Sequence, residues 1–163
     1  MTQKPEQTGK ETDFKTVASN RKASHDYFLL EKIEAGISLM GCEVKSIRAG
    51  LVSLNEAYAN VEKNEVWLHS LHIQPYPHSR NETYQPARPR RLLLHREQIS
   101  RLFGKVTVKG HALIPVRVYL TRGNVKIELA LAKGKDVGDK RESLKKKTSD
   151  REARRAISSR GKD

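Results

Sequence analysis

A chain of 163 residues with 32 Lys and Arg against 19 Asp and Glu carries a formal charge of +13, and its length suits one domain with some extension. That excess of cations is the footprint of a protein that neutralises phosphates, so a polyanion is the default partner and a membrane surface the rival. No apolar run of about 18 residues, no signal-peptide core and no lipidation motif is present, so the chain is expected to be soluble and cytoplasmic. The single Cys42 excludes an intrachain disulfide and a multi-cysteine zinc site, and fits a reducing compartment.

Met1 to Ser19 is polar and lacks any sustained apolar period, which predicts a flexible arm. Tyr27 to Ile33 and Ile37 to Met40 are β-rich and separated by Gly36, predicting a strand pair or one bent strand. Glu43 to Ala49 sets Val44 and Ile47 on one helical face with Gly50 at its end. Glu56–Val61 and Val66–Ile73 flank a polar Glu-Lys-Asn-Glu turn and read as a hairpin. Four prolines, Pro75, Pro77, Pro86 and Pro89, then predict a long loop over about 74 to 90.

From Leu92 the pattern becomes helical, with Leu94, Ile99, Leu102 and Phe103 on one side and Gly104 as terminator. Val116 to Leu120 and Val125 to Leu131 alternate apolar and polar residues on either side of Arg-Gly-Asn, the pattern of an antiparallel hairpin with one wet face. About six antiparallel strands with a small core are most economically closed into an OB-like β-barrel with flanking short helices, which leaves no unpaired edges. A small open sheet with one packed helix satisfies the same periodicities. The fold class is thus mainly β, with the barrel over 20–132 between the arm at 1–19 and a basic tail at 133–163.

The tail is expected to be partly disordered. It holds 12 Lys and Arg but only Val137, Leu144 and Ile157 as large apolar residues, so its helix formers have no apolar stripe to pack. It carries +6 of the total charge, against +2 for Met1 to Lys22, and is the most charge-dense part of the chain.

Catalytic constellations are missing: there is no Gly-rich phosphate loop, Ser elbow, His-Glu-x-x-His or Cys-x-x-Cys. His69 and His72, three apart in a strand, point to opposite faces and cannot share a metal ion. Neither a metal nor a cofactor is called for, and Cys42 reads as a small buried residue. Asn20-Arg21-Lys22-Ala23-Ser24-His25-Asp26-Tyr27 is either a solvated leader into a strand or a border that ion-pairs phosphates and stacks on bases. Arg88-Pro-Arg-Arg is likewise either a loop kept soluble by charge or an RNA clamp stiffened by Pro89. With nine aromatic residues, and Phe28 and Trp67 expected in the core, a multi-base stacking surface of the single-strand-binding kind is poorly supplied.

Seven motifs in order, Asn20-Arg21-Lys22-Ala23, His25-Asp26-Tyr27, Glu34-Ala35-Gly36-Ile37, Glu43-Val44-Lys45-Ser46-Ile47-Arg48, Arg90-Arg91-Leu92-Leu93-Leu94, Ala132-Lys133-Gly134-Lys135 and Asp139-Lys140-Arg141, resemble the signatures of the SsrA-binding protein family, also called small protein B. The resemblance spans about 20 to 157. It implies an OB-like barrel that binds the tRNA-like part of transfer-messenger RNA and delivers it to stalled ribosomes for trans-translation. Elongation factor Tu and alanyl-tRNA synthetase would be reached through the RNA. It implies an adaptor and not an enzyme.

By position, the RNA face would comprise Asn20, Arg21, Lys22, His25, Tyr27, Glu34, Lys45, Arg48, Arg90, Arg91, Leu94, Lys133, Gly134 and Lys135. Glu34 cannot bind phosphate and would accept from base or sugar donors, unless it pairs with Lys32 or Lys45. Asp139, Lys140, Arg141, Lys145, Lys146, Lys147, Arg154, Arg155 and Ile157 would serve the tail in the decoding centre and the empty messenger channel, where it becomes helical. Two departures stand out: Cys42 replaces the usual Thr or Trp, and Gly138 replaces a His or aromatic residue before Asp-Lys-Arg, removing a base-stacking group.

A peptide of residues 133–163 is expected to show little helix by circular dichroism in plain buffer, because its apolar stripe is too thin. Substantial helicity there would contradict that reading.

Overall fold

The alternating segments pair as expected: His111–Thr121 and Asn124–Gly134 form an antiparallel hairpin, in register from His111 opposite Lys133 to Thr121 opposite Asn124. The structure is a computed structural model and describes residues 14–79 and 84–160. Its elements are β1 (Phe14–Ser19), α1 (Arg21–Asp26), β2 (Tyr27–Ile37), α2 (Gly41–Arg48), β3 (Val52–Ser53), β4 (Tyr58–Glu62), β5 (Glu65–His69), β6 (His72–Ile73), β7 (Arg90–Leu93), α3 (Arg96–Val106), β8 (His111–Thr121), β9 (Asn124–Gly134) and α4 (Val137–Arg160).

Hydrogen-bonded neighbours run β8–β4–β5–β7–β2–β9, and the β8–β9 pairing closes this into a six-stranded antiparallel ring, the OB-like arrangement. The free edge of β8 is divided between two partners: β1 lies along Arg117–Thr121, while β4 pairs with it in the ladder only at Leu113. A register shift between Pro115 and Arg117 separates these two stretches of the strand; Pro115, with no N–H, suits such an irregularity. Ile33, Ala35 and Ile37 of β2, Val66 and Leu68 of β5, and Leu113, Val118, Ile127, Leu129 and Leu131 of the long hairpin fill the ring. Ile47 from α2 and Leu102 from α3 join the same core. Burying each large aliphatic side chain contributes about 1.5–3 kcal/mol.

Both hairpin turns need left-handed backbone. Lys63 and Asn64 (φ 48° and 62°) join β4 to β5, and Arg122 and Gly123 (φ 49° and 78°) join β8 to β9, the signature of type I′ turns. The second turn therefore falls one residue earlier than Gly-Asn, and Asn124 already belongs to β9.

Several expectations are corrected. The arm narrows, because Phe14–Ser19 is a strand; the Phe14 ring lies 4.6 Å from that of Tyr119, with the Arg117 guanidinium 5.0 Å over it. The remainder of that expectation, 1–13, lies outside the described residues. Asn20 to Asp26 is not a leader but a short helix, with Asn20 as its cap. Of the two readings for Tyr27 to Met40 the single strand holds, with a register shift between Leu29 and Glu31, but it ends at Ile37; within it Gly36 passes close to Leu93, and an added Cβ would sit 3.2 Å from the Leu93 Cβ. The segment after the proline loop begins as strand β7, and the helix starts only at Arg96 and runs through Gly104 to Val106. Val137–Arg160 of the tail is helical, the element its run of helix formers allows.

Burial of Arg90 is what places β7. The loop before it, with Pro86 and Pro89, cannot supply regular backbone hydrogen bonds, and the Arg90 side chain turns inward and supplies them. Its Nε and Nη2 donate to Glu43 Oε1 (2.9 and 2.8 Å), and Nη2 also to the Pro86 carbonyl (3.0 Å). Nη1 donates to the carbonyls of Leu71 and Arg88 (2.7 and 3.0 Å). Glu43 is equally enclosed, receiving Arg88 through Nε and Nη2 (2.9 and 2.6 Å) and the Met40 amide (2.8 Å). Burial pushes the Glu43 carboxyl up, but hydrogen bonds from Arg88, the Met40 amide and Arg90 outweigh it and hold it below its ordinary 4.5.

Glu43→Ala or Arg90→Ala leaves an uncompensated buried charge and is expected to cost about 3–5 kcal/mol, read as a lowered midpoint in urea. The carboxyl titrates lower in the folded chain than in the unfolded one, so its stabilisation is complete above the ordinary pKa and lost as pH falls through the folded value. Glu43→Gln should therefore flatten the acid limb of the stability curve; an unchanged limb would rule this carboxylate out as its source.

Candidate nucleic-acid interface

Two separated regions gather the sequence-selected residues. The first forms where α1 meets the end of the long hairpin. Asn20 fixes it, with Oδ1 accepting from the Ala23 amide (3.1 Å) and Nδ2 donating to the Pro115 carbonyl (3.3 Å). Its polar groups are thereby engaged in the fold, and its role is to aim Arg21 and Lys22 outward, both exposed. Tyr27 lies opposite Gly134 across the β2–β9 ladder, so Lys133 and Lys135 emerge beside α1.

Lys135 donates from its backbone N to the Asp26 carbonyl and from Nζ to the Ser24 carbonyl, both at 3.0 Å. Asp26 receives His25 Nδ1 at 2.9 Å and Lys140 Nζ at 3.3 Å. These two contacts, His25 first and then Lys140, hold its carboxyl below the ordinary carboxylate value. Lys140 thus anchors the first turn of α4 to α1, and Asp139 accepts from the Asp136 amide there. Gly138 sits in open space, with nothing within 4 Å of a would-be Cβ, so packing does not dictate the absence of a ring.

The second region runs over the outer side of β2 and β7 to α2. Glu34, Gly36, Leu93, Leu94, Arg101 and Lys126 border one groove, and Gly36, Leu93 and Lys126 continue into another that ends at Arg48 and Gly123. Arg48 Nη2 donates to the Gly123 carbonyl at 3.1 Å, which ties α2 to the β8–β9 turn, and Lys45 is exposed on the same helix. Glu34 pairs with neither Lys32 nor Lys45. It accepts from the Tyr119 hydroxyl and lies 3.7 Å from Lys126, while Lys32 faces Glu128 at 3.6 Å. Burial, and Glu34 as acceptor, push the Tyr119 phenol well above its usual range.

Arg90 is a correction. It is 0% exposed, so it belongs to the fold and not to the RNA face; the basic run before Leu92 splits into inward Arg90 and outward Arg91, which pairs with Glu65 at 2.9 Å. Arg88 faces Glu43, which removes it from the clamp reading. Along α4, Arg141, Lys145, Lys146, Lys147, Arg154, Arg155 and Ile157 are exposed. Cys42 is half-buried rather than buried.

Three aromatic rings are more open than core residues. Phe28 is 41% exposed, with the Lys135 ammonium 4.9 Å over its ring, and Trp67 is only half-buried. Tyr58 stands exposed at the start of β4. The signal for Phe28 was the parity of β2: Lys32 and Glu34 point out, and counting back by twos reaches Leu30 and Phe28. Lys126, likewise outward on β9, follows from the same rule.

The ring, the cationic rim at α1 and the basic helix that leaves it define an RNA-binding adaptor built on an OB-like barrel. A family model described as SmpB protein matches residues 17–159. An SsrA-binding protein from Desulforudis audaxviator is 50% identical over 142 residues, covering 87% of this chain and 93% of that protein. One from Pelobacter propionicus is 48% identical, covering 91% and 98%. A solved structure described as "tmRNA-SmpB: a journey to the center of the bacterial ribosome" superposes with a TM-score of 0.64 at 44% identity, over 78% of this chain and 93% of the other. The chain belongs to the SsrA-binding protein (SmpB) family.

Among the described residues Arg21, Lys22 and Lys133 make no ion pair, whereas Arg91 is held by Glu65. Replacing any of the first three by Ala should weaken RNA binding and lower the slope of log K against log salt by about 1 where that cation meets a phosphate. Arg91→Ala should shift it less. Equal slopes for all four would dissolve the distinction between free and engaged cations.

Proposed function

We propose that the chain binds transfer-messenger RNA through its barrel and carries it to stalled ribosomes in trans-translation, acting as a cytoplasmic, non-catalytic adaptor. One observation carries this reading: Asn20–Tyr27 and Lys133–Lys135 meet on one exposed rim, and the basic helix α4 leaves from that same rim. Relatives named SsrA-binding protein and the tmRNA-SmpB neighbour support the choice of RNA. Among the described residues no helix is long and apolar enough to cross a membrane.

The barrel engages the tRNA-like part of the RNA with its rim cations and the β2–β7 groove. The tail enters the ribosome, where Lys145, Lys146, Lys147, Arg154 and Arg155 meet phosphates of the decoding centre and the vacant messenger channel, with Ile157 as an apolar foothold. Its composition supports this division: α4 carries nine Lys and Arg against four Asp and Glu, a surface suited to phosphate rather than to a protein core. Elongation factor Tu and alanyl-tRNA synthetase act on the same RNA without touching this chain.

RNA sequenced from the purified tagged protein should be dominated by transfer-messenger RNA; a broad spread of messengers would instead favour a single-strand-binding module. Truncation belongs after Asp136, because β9 extends to Gly134 and Lys135 is bonded to α1. That variant should bind the RNA with near-parental affinity yet fail to support tagging. Intact tagging would refute the division of labour between barrel and tail.

A further inference from the structure

Between α1 and the start of β4 lies an open cleft of about 310 Å3 bordered by Lys22, Asp26, Tyr27, Glu56, Tyr58 and Ile114, a volume at the small end of ligand sites. None of the ion pairs that fix the barrel or the tail helix passes through Tyr58, Glu56 or Lys22.

Tyr58 is 44% exposed and its ring is stacked on His69, with centroids 5.3 Å apart and planes at 18°. His69 Nε2 is in turn 3.2 Å from Glu62 Oε1. The ring is therefore braced from behind and open toward the cleft rim. An exposed, pre-oriented aromatic is the part an unstacked base needs, since stacking requires a π-face and no sequence-specific hydrogen bond.

Glu56 supplies a second, independent sign. Its φ is +65°, in the left-handed region that L side chains seldom occupy. It sits third in the Leu54–Ala57 turn, which is closed by a bond from the Ala57 amide to the Leu54 carbonyl. That place favours Gly or Asn, so the fold tolerates a conformational cost to keep a carboxylate at the cleft. Such costs cluster at binding sites. A carboxylate there accepts from an exocyclic amine or a ribose hydroxyl and repels phosphate, while Lys22, cationic and unpaired among the described residues, meets phosphate on the other wall.

We propose that this cleft is a single-nucleotide subsite: one unstacked base of an RNA lies against Tyr58, its sugar or amine edge donates to Glu56, and its phosphate reaches Lys22. The assignment rests on the proposed function in that the ligand is RNA, and it adds a recognition site away from the β2–β7 groove. The base comes either from transfer-messenger RNA or from ribosomal RNA, and the two sources separate experimentally.

The full chain is irradiated with transfer-messenger RNA alone and with RNA plus stalled ribosomes, and crosslinked peptides and nucleotides are mapped. A crosslink at Tyr58 is expected in one of the two mixtures, and the mixture names the source. Tyr58→Ala should weaken RNA affinity by about fivefold or more if the base is in transfer-messenger RNA, from a stacking contribution of about 1–3 kcal/mol. If the base is ribosomal, affinity for the free RNA stays constant and tagging falls instead. Tyr58→Phe should restore either loss.

Glu56→Gly relieves the left-handed strain, so its melting temperature should hold or rise while binding or tagging weakens, a split that a purely structural residue does not give. No crosslink at Tyr58 in either mixture, with unchanged affinity and tagging in Tyr58→Ala and Glu56→Gly, overturns the subsite. Failure of the parent chain to bind transfer-messenger RNA would instead overturn the underlying function.

Discussion

The architecture depends on one buried ion cluster, Glu43 with Arg90 and Arg88. Burying charge is costly, and such a cluster holds only when the hydrogen-bonding capacity of each partner is met. Here all five N–H groups of Arg90 find acceptors on Glu43, Leu71, Pro86 and Arg88. The guanidinium is thus a node that joins α2, the Leu71 link between β5 and β6, the proline loop and β7. Arg90 and Leu92 share the inward face of β7, which leaves Arg91 and Leu93 on the outside. Since β7 lies between β5 and β2 in the ring, the groove along its outer side exists because the cluster sets its register.

That dependence sorts the cations by function. A charge that fulfils the hydrogen-bond needs of the fold is not available to a phosphate, so Arg88 and Arg90 drop out of the RNA face although they lie in the most basic run of the barrel. Arg101 and Lys105 of α3 are partly committed in the same way, both engaging Glu31 and holding its carboxyl low, with Lys105 the larger influence. Arg21, Lys22 and Lys133, which make no ion pair among the described residues, stand instead at α1 and the end of β9, where backbone pairing of Tyr27 with Gly134 brings together segments more than a hundred positions apart. Net charge points to a polyanion partner but not to a place on the surface; the pairing pattern narrows the candidate cations.

The sequence made legible whatever depended on local period or turn chemistry. The β8–β9 hairpin, the β4–β5 hairpin and α2 follow from alternation, from Asn and Gly at turns, and from three-residue apolar spacing. What it hid were features decided by distant partners. Phe14–Ser19 reads as a polar arm, because its order comes from a ladder with β8 and from the Phe14–Arg117–Tyr119 stack, neither visible locally. Arg90 reads as surface because an arginine almost never lies fully buried unless a partner neutralises it, and its partner stands 47 positions away. Phe28 reads as core for a different reason: its hydrophobicity points inward, whereas the parity of β2 points outward. Of the site, the motifs located α1, the β9 end and α2, but not their division into two regions.

Helix α4 shows how weakly order can be held and still be useful. Its hydrophobic residues Leu144 and Ile157 are exposed, so little apolar burial opposes the entropy of ordering the chain. Lys140 on Asp26 and Lys135 near Ser143 connect its first turns to the barrel. Exposed ion pairs of that kind contribute little, because solvent screens them. Beyond those turns the helix stands on its own backbone hydrogen bonds and intrinsic propensity, both compatible with exchange onto another surface. Under the proposed function, a phosphate-lined channel would offer each lysine and arginine a partner that solvent does not, so the same sequence would gain order where anions are dense. A tail with a strong apolar stripe would fold back onto the barrel and close the rim; sparse apolar content keeps the helix free to leave it.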